Sequence, residues 1–447
     1  MTTKNKNSLF ILLPVVLLAL GIVVRLIYAG YFGSESYKNY DHYTVFQYTH
    51  DSIYHIEYIQ SVAEHLSLPA VEKGLEYPQQ PFYYILAGIL YRFLNFLYFS
   101  EEEILTVIVW LSALFSIGTL VFAYLLSKKV TEQGWVQSFI VGLMAFTPAF
   151  IYQAGMIGND PLCTFLSAGA FYFLVRYIQD EKIKYFITAV SLATLASFTK
   201  ISSGTIFLMI LFALIYKYFY KNQKQLLKMI FVVFAIGFMC LGVMLYRAYL
   251  PWSGKFRFVE SYTYEHQKTE PGRLSYFLTF NYPKLAEEGQ SFVFGNKDVA
   301  RTLPTFLYGS FLFGEYSFTN ITDNYPFIKA LMQFIILTGL LFPIGIIANF
   351  FYVKKWTLID YVSIFGIGIN LITLISFLIK YSAVCNSDFR YFCPVFLGLL
   401  LVSAMGLSRL NESSKIKFIL PAITLILISS EFCWVIERLA VRIFTQI

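Results

Sequence analysis

Apolar segments long enough to cross a bilayer recur along the whole chain, and they constrain the fold more than any other feature. A helix needs about 20 mostly apolar residues to cross the hydrocarbon core of a membrane. The segments that approach or exceed this length are 9–29, 104–127, 135–154, 161–178, 185–199, 203–219, 229–250, 328–352, 358–380, 390–408 and 417–436. Because backbone polar groups in lipid must bond within their own segment, each is predicted to be a helix. We therefore expect an all-α polytopic membrane protein with about 11 transmembrane helices.

The composition supports this class and excludes others. The chain is 57% hydrophobic and only 14% charged, whereas soluble domains carry about 25% charged residues. The net charge of +7 is scattered over short loops, so nucleic acid is not an expected partner. The five cysteines mostly lie in apolar segments and have neither metal-ligand spacing nor a disulfide framework.

Basic residues between the segments indicate how the chain is oriented. Lys4 and Lys6 precede the first segment and place the N-terminus in the cytoplasm by the positive-inside rule. Lys128 and Lys129 also fall on the cytoplasmic side, provided that the apolar run 82–98 does not cross. We therefore predict that this run is a juxtamembrane or re-entrant helix in the first external loop.

Two longer regions, 30–103 and 251–327, then lie outside, within a single transmembrane domain of residues 1–440. All five histidines fall in these two regions, so we expect any chemistry on the external face of the plasma (inner) membrane. Residues 251–327 mix basic and aromatic side chains. They are a candidate platform for an acceptor, or alternatively an interfacial aromatic belt.

The stretch "QYTHDSIYHIEYIQSVAEHLSLP" gathers rare ionisable residues just after the first span. Its apolar residues recur at helical spacing, which predicts a helix lying along the membrane surface. Asp51 and His55 are four residues apart and share one face, which Tyr58 extends. Asp51 is either a helix N-cap or a functional acid, and Asp41 is its rival for the second role. His55 is either an ordinary interfacial histidine or a metal ligand.

A second acid, Asp160, stands in "AGMIGNDPLCTF" at the external end of another span. With Pro161 following, it is a good helix start. Its loop has only about six residues, which holds the acid near the lipid boundary, where charges are costly and often functional.

Taken together, these segments resemble the GT-C superfamily of membrane glycosyltransferases, in the branch of protein O-mannosyltransferases and aminoarabinose transferases. The segments that carry the resemblance follow the family's order: Asp51 with the helix after it, "EYPQQPFYYILAGILYRF", "FTPAFIYQAGMIGNDPLCTFLSAGAFYFLVRY", "LASFTKISSGTIFL" and "NSDFRYFCPVFLGLLL". Two departures stand out. Ser52 follows Asp51 where the family often has a second acid, and Gln79-Gln80-Pro81 replaces the family's His-Pro-Pro.

The resemblance implies an inverting glycosyltransferase. Its donor would be a sugar on a polyprenyl phosphate, and its acceptor a lipid, glycan or protein outside the membrane. Asp51 would activate the acceptor. Asp160 would orient the acceptor, or bind a divalent metal with His55.

The same resemblance assigns Lys200, Arg390 and Tyr391 to binding of the donor phosphate, because fixed cations suit its negative charge. The alternative for Lys200 and Arg390 is that they extend from helix ends to the interface. No cofactor is certain, and a divalent metal is an option.

Two other functions stay open at this point. A flippase or transporter of lipid-linked oligosaccharide is expected to show internal repeats and ionisable residues at mid-membrane. The chain has no repeat, and Glu431 is the main charge inside a span. An O-antigen polymerase or ligase-like enzyme is expected to use external Arg and His pairs rather than two early carboxylates.

Overall fold

The computed structural model describes residues 8–38, 51–221, 224–248, 273–288, 302–314, 326–352, 356–381, 384–413 and 417–445. Within these ranges all regular secondary structure is helical. The main helices are α1 (Ser8–Phe32), α2 (Ser52–His65), α3 (Phe82–Phe96), α4 (Glu101–Val130), α5 (Gly134–Phe146), α6 (Asp160–Asp180), α7 (Ile183–Ser197), α8 (Thr205–Lys221), α9 (Lys224–Ala248), α10 (Leu303–Phe313), α11 (Pro326–Gly339), α12 (Leu341–Tyr352), α13 (Leu358–Lys380), α14 (Phe396–Ser413) and α15 (Ile419–Thr445).

The described helices confirm the predicted fold class of a multi-pass membrane protein. In the described residues, nine helical stretches are long and apolar enough to span a membrane. The number is ten if a bent helix pair is counted as one span. The predicted spans 185–199 and 203–219 are separate helices, α7 and α8. With 15 residues, α7 is shorter than the roughly 20 that a perpendicular crossing needs, which accounts for the difference from the expected eleven.

The apolar run 82–98 forms α3, a 15-residue helix that packs along α2. Ile89, Phe93 and Phe96 are exposed, while Tyr84 and Ala87 are buried. A helix this short, with one buried face and one exposed apolar face, suits a position at the membrane surface rather than a crossing.

The predicted span 135–154 is broken in the middle. Helix α5 and the stretch Pro148–Ala154 meet at an angle of 63°. Pro148 lacks a backbone N–H and pushes the preceding residue out of helical conformation. Accordingly, Thr147 is extended, with φ −67° and ψ 122°. The break redirects the chain toward the turn that carries Asp160.

Arg25, a buried residue of α1, stabilises the end of α5. Its guanidinium donates to the carbonyl oxygens of Met144 at 2.6 Å and Ala145 at 3.0 Å. It also donates to Ser116 Oγ at 2.9 Å. These bonds satisfy carbonyls that the interrupted helix leaves without a partner.

The helices sort by burial into a centre and a periphery. The span that contains α14 is 89% buried and that of α6 is 78% buried, whereas that of α9 is only 12% buried. Helices α12 and α14 approach closely at Gly345 and Gly406, where a Cβ on either glycine would collide with the other helix. Small residues allow such backbone approach between membrane helices. The central helices hold the site described next, and α9 presents its apolar side chains to lipid.

Candidate active site

Asp51 lies directly before α2, and its side chain makes no capping hydrogen bond. Its Oδ2 atom is instead 4.0 Å from Nη1 of Arg390, an ion pair between residues far apart in the sequence. The capping alternative for Asp51 is therefore not what the structure contains.

Asp160 is the first residue of α6 and is buried. Its carboxylate forms an ion pair with the ammonium group of Lys200, which lies in the turn between α7 and α8. Burial acts to lower the pKa of Lys200, but the neighbouring Asp160 carboxylate outweighs it and leaves that pKa above its ordinary value. Lys200 is therefore a fixed positive charge in a largely dry position.

Arg390 and Tyr391 lie in a 3₁₀ stretch, Phe389–Val395, just before α14. The Asp388 carboxylate caps this stretch by accepting from the Arg390 N–H at 2.6 Å. The Asn370 side chain donates to the Tyr391 carbonyl at 3.2 Å. These bonds fix the backbone from which the guanidinium projects.

The Tyr391 ring is close to both cations. Lys200 Nζ is 5.5 Å from the ring centroid, and the Arg390 guanidinium carbon is also 5.5 Å from it. Both distances suit a cation–π contact. Tyr391 can therefore attract both like charges.

His55 is buried on α2 and shares a 2.8 Å hydrogen bond between its Nδ1 and the Tyr84 hydroxyl. Burial lowers its pKa to about 4, although Asp51 and Asp160 act in the opposite direction. His55 is therefore neutral at physiological pH.

Tyr58 lies one layer behind His55. Its ring stacks on Tyr84 with centroids 3.8 Å apart, and its hydroxyl accepts from Arg247 at 3.0 Å. Among the described contacts, Tyr58 serves packing and α9 attachment rather than the charged cluster.

Glu76, which the sequence analysis did not single out, belongs to the same cluster. It is buried, and burial together with Asp51 raises its pKa to about 7, against the opposing effect of Lys200 and Arg390. Its position in "EYPQQP" gave no signal, because nothing in the local pattern distinguishes it from the exposed Glu72 nearby.

The structure thus brings together most of the predicted site residues. Those that meet are Asp51, His55, Asp160, Lys200, Arg390 and Tyr391. Asp41 lies outside the described residues. Of the region 251–327, residues 273–288 and 302–314 are described, and Tyr276 reaches the Arg390 segment by a 2.7 Å hydrogen bond to Ser387.

The predicted metal site can be tested against the side chains present. The cation position beside Asp160 is taken by Lys200, and His55 Nδ1 is engaged by Tyr84. No group of three His, Cys, Asp or Glu residues suited to a metal exists in the described parts of the chain. As arranged here, with Asp160 paired to Lys200, the described residues do not form a metal-ligand set, and metal binding by His55 and Asp160 stays an untested prediction.

The cluster combines two fixed cations with several carboxyls. Lys200 and Arg390 offer a point charge and a planar fork, the two common protein partners of phosphate. Asp51 offers a carboxylate that is half-buried rather than buried. This arrangement can bind a phosphate ester and accept a proton beside it.

Comparisons with known proteins agree with this architecture. Residues 84–246 match the family of dolichyl-phosphate-mannose-protein mannosyltransferases. The apo oligosaccharyltransferase of Archaeoglobus fulgidus matches with a TM-score of 0.53 at 13% identity, over 98% of this chain and 57% of that one. No curated protein sequence matches.

Two further solved structures are similar at lower scores. The Archaeoglobus fulgidus oligosaccharyltransferase AglB in complex with an inhibitory peptide and a dolichol-phosphate has a TM-score of 0.43 at 11% identity, over 98% of this chain and 56% of that one. ArnT from Cupriavidus metallidurans bound to undecaprenyl phosphate has a TM-score of 0.40 at 11% identity, over 89% of this chain and 78% of that one.

The family match and the fold shared with the apo oligosaccharyltransferase confirm the predicted resemblance to the GT-C superfamily. This chain spans 57% of the length of that enzyme.

Proposed function

We propose that this protein is an inverting glycosyltransferase that moves a sugar from a polyprenyl phosphate to an acceptor outside the plasma (inner) membrane. One observation carries the proposal: Asp51, Asp160, Lys200 and Arg390 come from four distant segments and meet in one charged cluster. The matched family, which is described by a dolichyl-phosphate-linked sugar donor, supports the same donor class.

The donor phosphate binds between Lys200 and Arg390. Lys200 directly precedes one candidate span, and Arg390 is the second residue of another. Helix ends are where the phosphate of a lipid with its tail in the bilayer would lie. As the bond between the anomeric carbon and the phosphate oxygen breaks, its electron pair leaves with the phosphate. Cations held in advance at that position stabilise the developing charge without further rearrangement.

Asp51 acts on the acceptor. An acceptor hydroxyl or amine attacks the anomeric carbon from the face opposite the phosphate, and its proton passes to the Asp51 carboxylate. General base catalysis of this kind contributes typically ~10²–10⁴ in rate. The ion pair with Arg390 directs the Asp51 carboxylate toward the donor site.

The acceptor approaches from the loop side of the cluster. Residues 273–288 and 302–314 lie on that side. The Tyr276 hydroxyl bonds to the Ser387 hydroxyl, and the Ser310 hydroxyl accepts from the Phe389 N–H, next to Arg390. A glycan, lipid or protein acceptor bound there would meet the donor at Asp51.

The test uses purified protein in vesicles of known orientation, with radiolabelled mannosyl-phosphoryl dolichol and undecaprenyl-phosphate sugars as donor probes. Membrane extracts from cells lacking the protein supply acceptors. We expect label in an acceptor product, only when donor and acceptor are on the predicted external side. Asp51→Asn should abolish that label while leaving insertion and thermal stability intact.

Other outcomes would refute the proposal. Movement of the intact donor across the bilayer without transfer would indicate a flippase. Equal transfer by wild type and Asp51→Asn would remove Asp51 from the mechanism.

A further inference from the structure

The glutamine pair that replaces the family's His-Pro links three segments of the site. The Gln79 side chain donates from Nε2 to the Glu76 carboxylate. Its Oε1 accepts from Asn159 Nδ2 at 2.6 Å. Asn159 Nδ2 also donates to the Thr199 carbonyl at 3.2 Å. A chain of side-chain bonds therefore runs from Glu76 to the backbone of the α7–α8 turn.

This chain of bonds ends next to both members of the buried ion pair. Asn159 directly precedes Asp160, and Thr199 directly precedes Lys200. Asn159 and Thr199 are buried, with 2% and 0% of their surface exposed. The Asn159 amide therefore bonds to the residue before Lys200, while its own backbone leads directly to Asp160.

Gln80 reinforces the same contact. Its Oε1 accepts from the Ile201 N–H at 3.0 Å, and the Phe82 N–H donates to the Phe198 carbonyl at 2.9 Å. The loop before α3 is therefore bonded to the Lys200 turn on both sides of the lysine.

The polarity of the chain is fixed at its Thr199 end. The Thr199 carbonyl accepts only, so the Asn159 NH₂ group must face it. Asn159 donates from the same Nδ2 atom to the Gln79 oxygen, which leaves the Gln79 NH₂ group to donate to Glu76. Reversing either amide would set two oxygens or two NH₂ groups against each other at a buried position.

We propose that Gln79 is a positioning residue, oriented by Glu76, that holds Asn159 and thereby fixes the Asp160–Lys200 pair for the donor phosphate. This inference rests on the proposed function, because the pair matters for transfer only if it acts on the donor.

The experiment exchanges the polarity of the bond between positions 76 and 79. Gln79→Glu removes the donor and sets two carboxyls together. We expect kcat/KM for the donor to fall about tenfold, as small misplacements of catalytic groups do. The double variant Glu76→Gln/Gln79→Glu restores a donor facing a carboxylate, and we expect most of the activity to return.

The matched control is Gln60→Glu, since Gln60 also bonds a glutamate, Glu101, but outside the site.

A second readout does not need activity. Amine-reactive labelling of Lys200, followed by peptide mass spectrometry, reports whether its pair with Asp160 is intact. We expect Gln79→Glu to lose the protection of Lys200 and the double variant to regain it.

The outcomes separate the two proposals. Wild type without transfer, but with the expected labelling pattern, refutes the proposed function and leaves the positioning role standing. Active wild type, with Gln79→Glu equal to it in transfer and labelling, refutes the positioning role. A double variant as impaired as Gln79→Glu refutes it as well.

Discussion

The two ends of α6 each carry an aspartate paired with basic residues, and the two pairs differ in almost every physical respect. At the first residue, Asp160 and Lys200 have side chains only 10% and 14% exposed. At the last, Asp180 is 20% exposed and pairs with Lys129 and Arg176, whose side chains are 31% and 24% exposed.

The difference separates a structural ion pair from a candidate site. Arg176 and Asp180 are four residues apart on one helix, so their pair needs no tertiary fold. Asp180 also sits at the negative end of the helix dipole, where an acid benefits from nearby cations. Pairs of this kind, in the more solvent-accessible part of the structure, contribute little to stability.

Asp160 already has the positive end of the helix dipole to stabilise it. Pairing it with a buried lysine from another helix turn desolvates two charges, and well-packed apolar residues in place of the whole pair would often serve stability as well or better. A pair that stability does not require points to function, and three changes test that distinction.

The largest effect is expected from neutralising each aspartate in turn. Asp160→Asn leaves Lys200 buried without its partner, and we expect kcat to fall about 100-fold. Asp180→Asn, the matched change at the other end, should alter kcat by less than about twofold, as surface pairs contribute little. Transfer assays on both variants measure kcat, and thermal unfolding confirms that both are folded. Similar losses in the two would remove the distinction.

An intermediate effect is expected for the cation that contacts Asp51. Arg390→Ala removes charge-assisted bonds to the donor phosphate, each contributing about 1.5–3 kcal/mol, so the donor KM should rise about 10- to 100-fold. The acceptor KM should change little. Arg176→Ala serves as control at the opposite end of the bundle. A parallel rise in both KM values of Arg390→Ala would argue against a phosphate contact.

The smallest effect is a pH dependence of stability that Glu76 and His55 confer at the site end. Burial and Asp51 raise the Glu76 pKa from 4.5 to about 7, so the folded protein binds more protons there than the unfolded chain. Glu76 therefore stabilises the fold below pH 4.5, and this contribution is lost as the pH rises through 7.

His55 acts in the opposite direction. Burial lowers its pKa from 6.5 to about 4, so its contribution is lost as the pH falls below 6.5. Because the two trends oppose each other, the measurement compares Tm of wild type and Glu76→Gln between pH 4.5 and 8. We expect Tm of the variant to decline less with rising pH. Parallel curves would show that Glu76 does not titrate in this range.

The sequence was sufficient for the fold class, because apolar length and loop charge act locally. It also named Asp51 and Asp160 from their own segments, and Lys200 and Arg390 from the order of motifs along the chain, as site candidates that the structure places together. It did not indicate the break at Thr147, where a proline inside an apolar segment overrides the length pattern.

The sequence did not single out Glu76 or Asn159, and Gln79 stood out only as a departure from the pattern that the chain resembles. The positioning that we propose depends on hydrogen bonds between residues 40 and 80 positions apart, which no local spacing encodes. For the same reason, Tyr58 was grouped with the site by its spacing on α2, while its contacts are with Tyr84 and Arg247.

The contact between Asp51 and Arg390 also bears on biosynthesis. Translation at about 5–20 residues per second takes roughly 17 to 70 s to cover the roughly 340 residues between them. Throughout that interval the growing polypeptide already displays its first acid but has not yet made the arginine. We therefore expect every nascent or prematurely terminated chain that lacks the last two spans to be inert. The chain would gain transfer activity only when its insertion into the membrane is almost complete. Incomplete chains would therefore not consume lipid-linked sugar.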